Sequence, residues 1–271
     1  MRLGICAQEF SPDFNAKWSL AEELGVDGVC LRDDGRQLDG FVHAASLAGR
    51  DRVGLVAVEI PVGGHPLHIA EKAAVADQVL GGRLIVILRG DDTASLIEAA
   101  TIVSAASRAR PFSTTGGRWP TPALLEANTG VSWTSVRVTP SPHQLRLPLF
   151  VGGSAGRAAS IQTAIPYFAD VEDSSESLRS HWDQMEARYG QGAHNMTRAG
   201  VRPMAQSHAS PAMELTRDRQ DWGAELVFLQ PDDSTEWTSK SITDVAVRLK
   251  PRVALDDLPE GLSEFWDATV R

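Results

Sequence analysis

Residues 51–89 read DRVGLVAVEIPVGGHPLHIAEKAAVADQVLGGRLIVILR, and their pattern decides the fold. Val53 to Ile60 is a short apolar run suited to a strand covered on both faces. Pro66 fits the first turn of a helix running to about Leu80, because the N–H it lacks would have no intrahelical partner there. Gly81-Gly82 closes that helix. Leu84 to Leu88 is a second apolar run. Strand, helix, strand in this order predicts parallel strands joined by a crossover helix.

The same alternation extends in both directions. Upstream, Arg2 to Ala7 and Gly28 to Leu31 read as strands. Phe14 to Leu24 reads as a helix with Trp18, Ala21 and Leu24 at helical spacing and Gly25 at its end. Downstream, a helix runs from Ala94 to about Arg108. Periodicity then fails until Pro148 in a stretch dominated by Pro, Gly, Ser and Thr, apart from a short strand at Ser135 to Val138. Four more strands follow at Leu147 to Val151, Phe168 to Val171, Val201 to Ala205 and Glu225 to Leu229. Helices are predicted from Gly156 to about Thr163, through Leu178, Trp182, Met185 and Tyr189, and from Ile242 to Leu249. Eight strands in 271 residues predict an α/β fold, an eight-stranded parallel β/α (TIM) barrel forming one domain over residues 1–271. It carries an irregular excursion at 110–147 and a C-terminal tail at 252–271. A long excursion in a compact domain is usually functional or mobile.

With 26 Lys and Arg against 35 Asp and Glu, the net charge is −9, which disfavours a nucleic-acid backbone as partner. Hydrophobic residues make up 42% and charged ones 23%, enough apolar material for a real core. No apolar run approaches the roughly 20 residues of a membrane span. The start MRLGICAQEF lacks the features of a secretion signal, so a cytoplasmic location without membrane association is expected. Cys6 and Cys30, both inside strand-like runs, read as a buried thiol pair ahead of a disulfide or a nucleophile.

In a β/α barrel the reactive face is the carboxyl end of the strands. The residues there are Gln8, Asp33-Asp34, Glu59, Arg89-Gly90-Asp91-Asp92, Gly152-Gly153-Ser154 and Gln230. The Gly152-Gly153-Ser154-Ala155 turn enters a helix, so its amides suit a phosphate. A plain βα turn, with glycine serving only the backbone, explains it as well. Asp33-Asp34 and Asp91-Asp92 suit acid–base work or are solvated loop carboxylates. Glu59 ends an apolar strand and must face water, a partner or a ligand. His65 and His68 come without the companions of a zinc site, and no metal site is expected. The absence of a GxSxG elbow argues against triad hydrolysis.

Several motifs, in order, resemble the bacterial luciferase-like flavin- and deazaflavin-dependent oxidoreductases, a family that includes monooxygenases. They are Arg52-Val53-Gly54-Leu55, His65-Pro66-Leu67-His68-Ile69-Ala70-Glu71, Ala76-Asp77-Gln78 and Gly81-Gly82-Arg83-Leu84. Pro140-Ser141-Pro142-His143-Gln144 then leads into Leu147 to Ser154, and Asp221 to Leu229 is similar to the family's last strand entry. The resemblance implies a luciferase-like barrel with FMN or a deazaflavin coenzyme at its mouth. It places a non-proline cis peptide at Val58-Glu59 and the cofactor phosphate at Gly152, Gly153, Ser154 and Ala155. Arg89 and Gly90 would border the ring or its ribityl chain, and Asp34, Glu59 or Asp91 would supply a proton or orient a small organic substrate. The compact chain leans toward deazaflavin hydride transfer over monooxygenation by reduced FMN. A separate flavin reductase and a homodimer are the implied partners. Two departures stand out: Asp33-Asp34 replaces the family's Asp-His, and Ile87-Leu88-Arg89 replaces a glycine-rich strand end. They favour the alternative of a non-catalytic member that binds flavin or another protein.

Overall fold

The computed structural model describes residues 2–7, 26, 28–32, 39–49, 54–115, 117–122, 134–203 and 211–230. Among them are eight strands: β1 (Arg2–Ala7), β2 (Gly28–Arg32), β3 (Leu55–Pro61), β4 (Leu84–Arg89), β5 (Leu149–Gly152), β6 (Phe168–Ala169), β7 (Ala199–Pro203) and β8 (Leu226–Gln230). They lie in the order β5-β4-β3-β2-β1-β8-β7-β6, and every pairing is parallel. The ring closes where Val151 bridges Tyr167 and the Val151 N–H donates to the Pro166 carbonyl at 3.1 Å. This is the expected eight-stranded β/α barrel.

Side-chain alternation divides each strand between two cores. Cys6, Cys30, Leu55, Ala57, Ile85, Ile87, Phe150, Phe168, Val201 and Phe228 fill the barrel interior. The Phe168 ring meets Phe150 and Phe228 at centroid distances of 5.9 and 6.1 Å. Space for Phe228 comes from Gly4, where a Cβ would stand 2.3 Å from its ring. The intervening residues, Leu31, Val58, Val86, Leu88 and Val151, face outward. They pack under α1 (Gly40–Ser46), α2 (Pro66–Leu80), α3 (Thr93–Ala106) and α4 (Gly156–Thr163). A second outer cluster joins Val227 and Leu229 to α5 (Ser175–Tyr189) and α7 (Pro211–Trp222), with the short α6 (Gln191–His194) between those helices in sequence.

Helix α2 has the predicted limits. The His65 Nδ1 caps it by accepting from the Leu67 N–H at 3.2 Å, and Gly81 ends it at φ 63°. Asp92 caps α3, taking the Ser95 N–H at 2.8 Å, so this carboxylate serves the helix end. The excursion is tied down at two points. The buried Asp77 accepts from the Gln144 N–H at 2.9 Å and its Nε2 at 2.8 Å. Glu98 takes the amides of Arg118 and Trp119 at 2.8 and 2.7 Å. The strand expected at Ser135 to Val138 is a single antiparallel bridge between Val136 and Phe112.

Some expectations are corrected. The Val58-Glu59 peptide is trans; the cis bonds among the described residues are Thr121-Pro122 and Thr139-Pro140. Both residues at that position are held in an extended ladder, Val58 opposite Leu31 and Val86, and Glu59 opposite Arg32 and Ile87. Strand β6 stops at Ala169, because Asp170 turns away and its N–H donates to Asp173 at 2.7 Å. The helices expected at Phe14 to Leu24 and Ile242 to Leu249 lie outside the described residues.

Candidate active site at the carboxyl rim

Inward-facing positions change from apolar to charged at the ends of β2, β3 and β4. Above Cys30, Ala57 and Ile87 stand Arg32, Glu59 and Arg89, each two residues further along its strand. The Glu59 side chain has no exposure, whereas Arg32 and Arg89 keep 31% and 24%, so the carboxylate lies beneath two guanidiniums that reach the mouth. Glu59 Oε2 accepts from Arg32 Nε at 3.1 Å and from Arg89 Nη1 at 2.9 Å. The other Arg89 nitrogen, Nη2, pairs with Asp170, just past β6. Burial opposes the charge of both arginines. Glu59, joined for Arg89 by Asp170, outweighs it and holds both above the ordinary guanidinium range. Two polar atoms in this part of the barrel are buried without a partner among the described residues: Arg32 Nη2, a donor, and Gln230 Oε1, an acceptor.

One layer down, the Cys30 thiol lies 3.6 Å from Glu59 Oε1. Burial, then the Cys6 thiol and the Glu59 charge, push Cys30 well above the usual thiol range. That environment suits a protonated, unreactive thiol and argues against a nucleophile.

The glycine turn stands beside Arg89. Gly153 has φ 79°, and a Cβ there would meet the Gly90 oxygen and nitrogen at 3.0 and 3.2 Å. The Ala155 N–H donates to the Gly90 carbonyl at 3.1 Å, and the Gly156 N–H to Gly153 at 3.0 Å. Gly90 and Gly153 therefore join two βα turns closely, and two amides of the turn are engaged internally. Ser154 Oγ donates to the exposed Asp91 at 2.7 Å.

The structure thus brings together Glu59 and Arg89 in one cluster and Gly90, Asp91, Gly152, Gly153, Ser154 and Ala155 in another beside it. The Val58 side chain points outward into the helical layer. Asp34 lies outside the described residues, as do Gln8 and Asp33. Of the Ile87-Leu88-Arg89 strand end, Leu88 faces the helices, while Ile87 lies in the barrel interior and Arg89 turns inward at the rim. Arg32 and Asp170 belong to the cluster without having been singled out. Each directly follows an apolar run, which is the signal that finds them.

No family model matches the sequence, and no curated protein is similar to it. Solved structures do match. The monooxygenase RslO1 from Streptomyces bottropensis is 15% identical with a TM-score of 0.67, over 94% of this chain and 100% of that one. A riboflavin lyase, RcaE, solved with modified FMN and riboflavin, is 11% identical with a TM-score of 0.69, over 93% and 92%. The coenzyme F420 dependent tetrahydromethanopterin reductase from Methanopyrus kandleri is 12% identical with a TM-score of 0.63, over 93% and 99%. At these identities the likeness establishes the fold. It is a closed parallel β/α barrel, the fold shared by these structures. No helix of the described residues is long and apolar enough to cross a membrane.

Proposed function

We propose that the chain is a luciferase-like oxidoreductase that seats FMN or a deazaflavin at its carboxyl rim and acts on a small organic substrate. The carrying observation is the charged layer in which buried Glu59 joins the half-buried Arg32 and Arg89, and Arg89 in turn Asp170, with a donor on Arg32 and an acceptor on Gln230 that have no partner among the described residues. A flavin-type ring offers matching groups, since its pyrimidine edge carries carbonyl acceptors and an N–H donor. Bound there, the cofactor supplies two-electron chemistry, by hydride transfer from a deazaflavin or by oxygen activation on reduced FMN. In the FMN case a separate reductase delivers the reduced cofactor.

The chain's own groups divide the remaining work. Arg32 would hold the pyrimidine edge of such a ring, and its fixed positive charge would stabilise an anionic reduced form. Glu59 is a positioning residue: it holds both guanidiniums in place through Oε2. Asp91, exposed and anchored by Ser154, is placed to exchange a proton with substrate or water. The Gly152-Gly153-Ser154 turn would receive the phosphate tail at the start of α4.

One observation favours a non-catalytic, ligand-binding or protein-binding role: Arg89 itself occupies the inward rim position and is engaged by two carboxylates. Arg32→Met tests the cofactor seat itself, which a catalytic and a flavin-binding member would share. If Arg32 contacts the ring, the folded variant loses at least tenfold in cofactor affinity. Unchanged affinity removes Arg32 from the site.

A further inference from the structure

We propose that Cys6, Cys30 and Glu59 form a binding site for a thiophilic divalent cation of the zinc class, inside the barrel beneath the charged rim. The three ligand atoms, two thiol sulfurs and a carboxylate oxygen, all lie within 4.8 Å of one another, and all three residues are buried. They come from three neighbouring strands. Cys6 and Cys30 are register partners on β1 and β2, and Glu59 follows, by two residues, the β3 partner of Cys30.

The two oxygens of Glu59 are divided between different tasks. Oε2 accepts from both arginines. Among the described residues Oε1 meets only the Cys30 sulfur, at 3.6 Å, and a thiol is a weak donor. A fully buried carboxylate oxygen with so weak a partner is aimed at the two sulfurs and fixed in that direction by guanidiniums on the far side. Outer partners orient ligating carboxylates in this manner in metal sites.

The dimensions and charges suit the ion. Tetrahedral zinc with Zn–S of about 2.3 Å and Zn–O of about 2.0–2.2 Å places ligand atoms roughly 3.5–3.8 Å apart. The present cluster reaches that spacing by contracting about 1 Å, within the range of small side-chain rotations. Burial holds the Cys30 thiol protonated while no ion is bound, and each thiol gives up its proton as the cation binds, because coordination deprotonates a thiol outright. A dication therefore enters as two protons leave, and the net charge of the layer formed with Arg32, Arg89 and Asp170 is unchanged. Two thiolates select zinc or cadmium over magnesium or calcium. Three protein ligands leave a fourth position for water.

The site is tested without flavin, so its failure is independent of the proposed activity. The full chain, stripped with a chelator and kept reduced by a phosphine, is titrated with Cd2+ while the ultraviolet thiolate-to-metal charge-transfer band is recorded. The expected result is saturation at one Cd2+ per chain, displacement by Zn2+, and release of about two protons per ion in weakly buffered solution. Cys30→Ser and Cys6→Ser should each halve the band and weaken binding at least tenfold. Glu59→Gln should keep the band while weakening binding. Either serine variant suffices if the other does not fold. No band at equimolar Cd2+ on the folded chain, or a band that survives both serine substitutions, overturns the proposal.

Discussion

Glu59 and Arg89 occupy adjacent strands out of register, since Glu59 lies opposite Ile87 and Arg89 opposite Pro61, yet Arg89 Nη1 reaches Glu59 Oε2 at 2.9 Å. The diagonal contact spans β3 and β4, while Arg32, directly opposite Glu59, ties in β2. One fully buried carboxylate thereby holds the ends of three strands. Removing one partner of a buried ion pair typically costs about 3–5 kcal/mol. Water reaches both guanidiniums from the mouth, which lowers the figure, so Glu59→Ala should lose about 2–3 kcal/mol in urea unfolding. Glu59→Gln, whose amide oxygen still accepts, should lose less. Equal stabilities of wild type and Glu59→Ala would show that the layer carries no load.

Gly153 and Gly81 test the difference between backbone strain and close approach. Both have positive φ, 79° and 63°, but a Cβ at Gly81 meets nothing within 4 Å while one at Gly153 meets the Gly90 backbone. Gly81→Ala should cost about 1 kcal/mol from conformation alone. Gly153→Ala adds a steric conflict between two turns and should cost about 2–3 kcal/mol. Thermal or urea unfolding of the two variants measures the gap, and equal losses would contradict the packing described for that turn.

His181 gives the fold a pH dependence. Its ring is buried between Tyr167 and Trp182, with centroids at 5.3 and 5.4 Å. Burial, helped by Arg157, lowers its pKa from 6.5 to about 4. Between these values the unfolded chain binds a proton that the folded chain does not, so the His181 contribution to stability falls as pH drops from 6.5 toward 4 and levels off below that. The loss is on the order of 3 kcal/mol. Urea midpoints across pH 7.5 to 4.5 should show this slope in wild type and a shallower one in His181→Gln. Parallel slopes would place the acid sensitivity elsewhere.

Asp77 and Gln144 clamp the irregular excursion to the barrel wall. Besides holding the Gln144 amide and side chain, Asp77 lies 3.4 Å from the Leu84 N–H, and Gln144 Nε2 also meets the Leu84 carbonyl at 2.9 Å. Asp77→Ala strands several buried groups and should cost about 2–4 kcal/mol. A double-mutant cycle with Gln144→Ala should give a coupling of about 1–2 kcal/mol, because the two residues share one network. Additive losses would mean that they act independently.

Local punctuation made much of the fold legible. Pro66 and Gly81 marked the ends of α2 correctly because each constrains its own backbone. Helix α7 is harder to read: its buried face includes Asp218, held by Arg202 Nε at 2.7 Å and Trp222 Nε1 at 2.9 Å, and a buried charge interrupts the apolar period. Helix α1 is short, and Phe41 is the only large residue on its buried side. At the site, Glu59 stood out because a charge ends an apolar strand. Asp170 falls inside the apolar run Phe168 to Val171, although the strand ends at Ala169, and Arg32 extends its strand one residue past the apolar run Gly28 to Leu31. The pairing of these four residues depends on register and on ring closure, which no single segment of the sequence encodes.

If the carboxyl rim seats a flavin-type ring, equilibrium titration will detect it. Purified protein is titrated separately with oxidised FMN and with oxidised deazaflavin, following cofactor fluorescence. Saturable binding of one of the two at one molecule per chain, weakened by Arg32→Met, is expected. No saturable change with either cofactor, from protein shown to be folded, would contradict it.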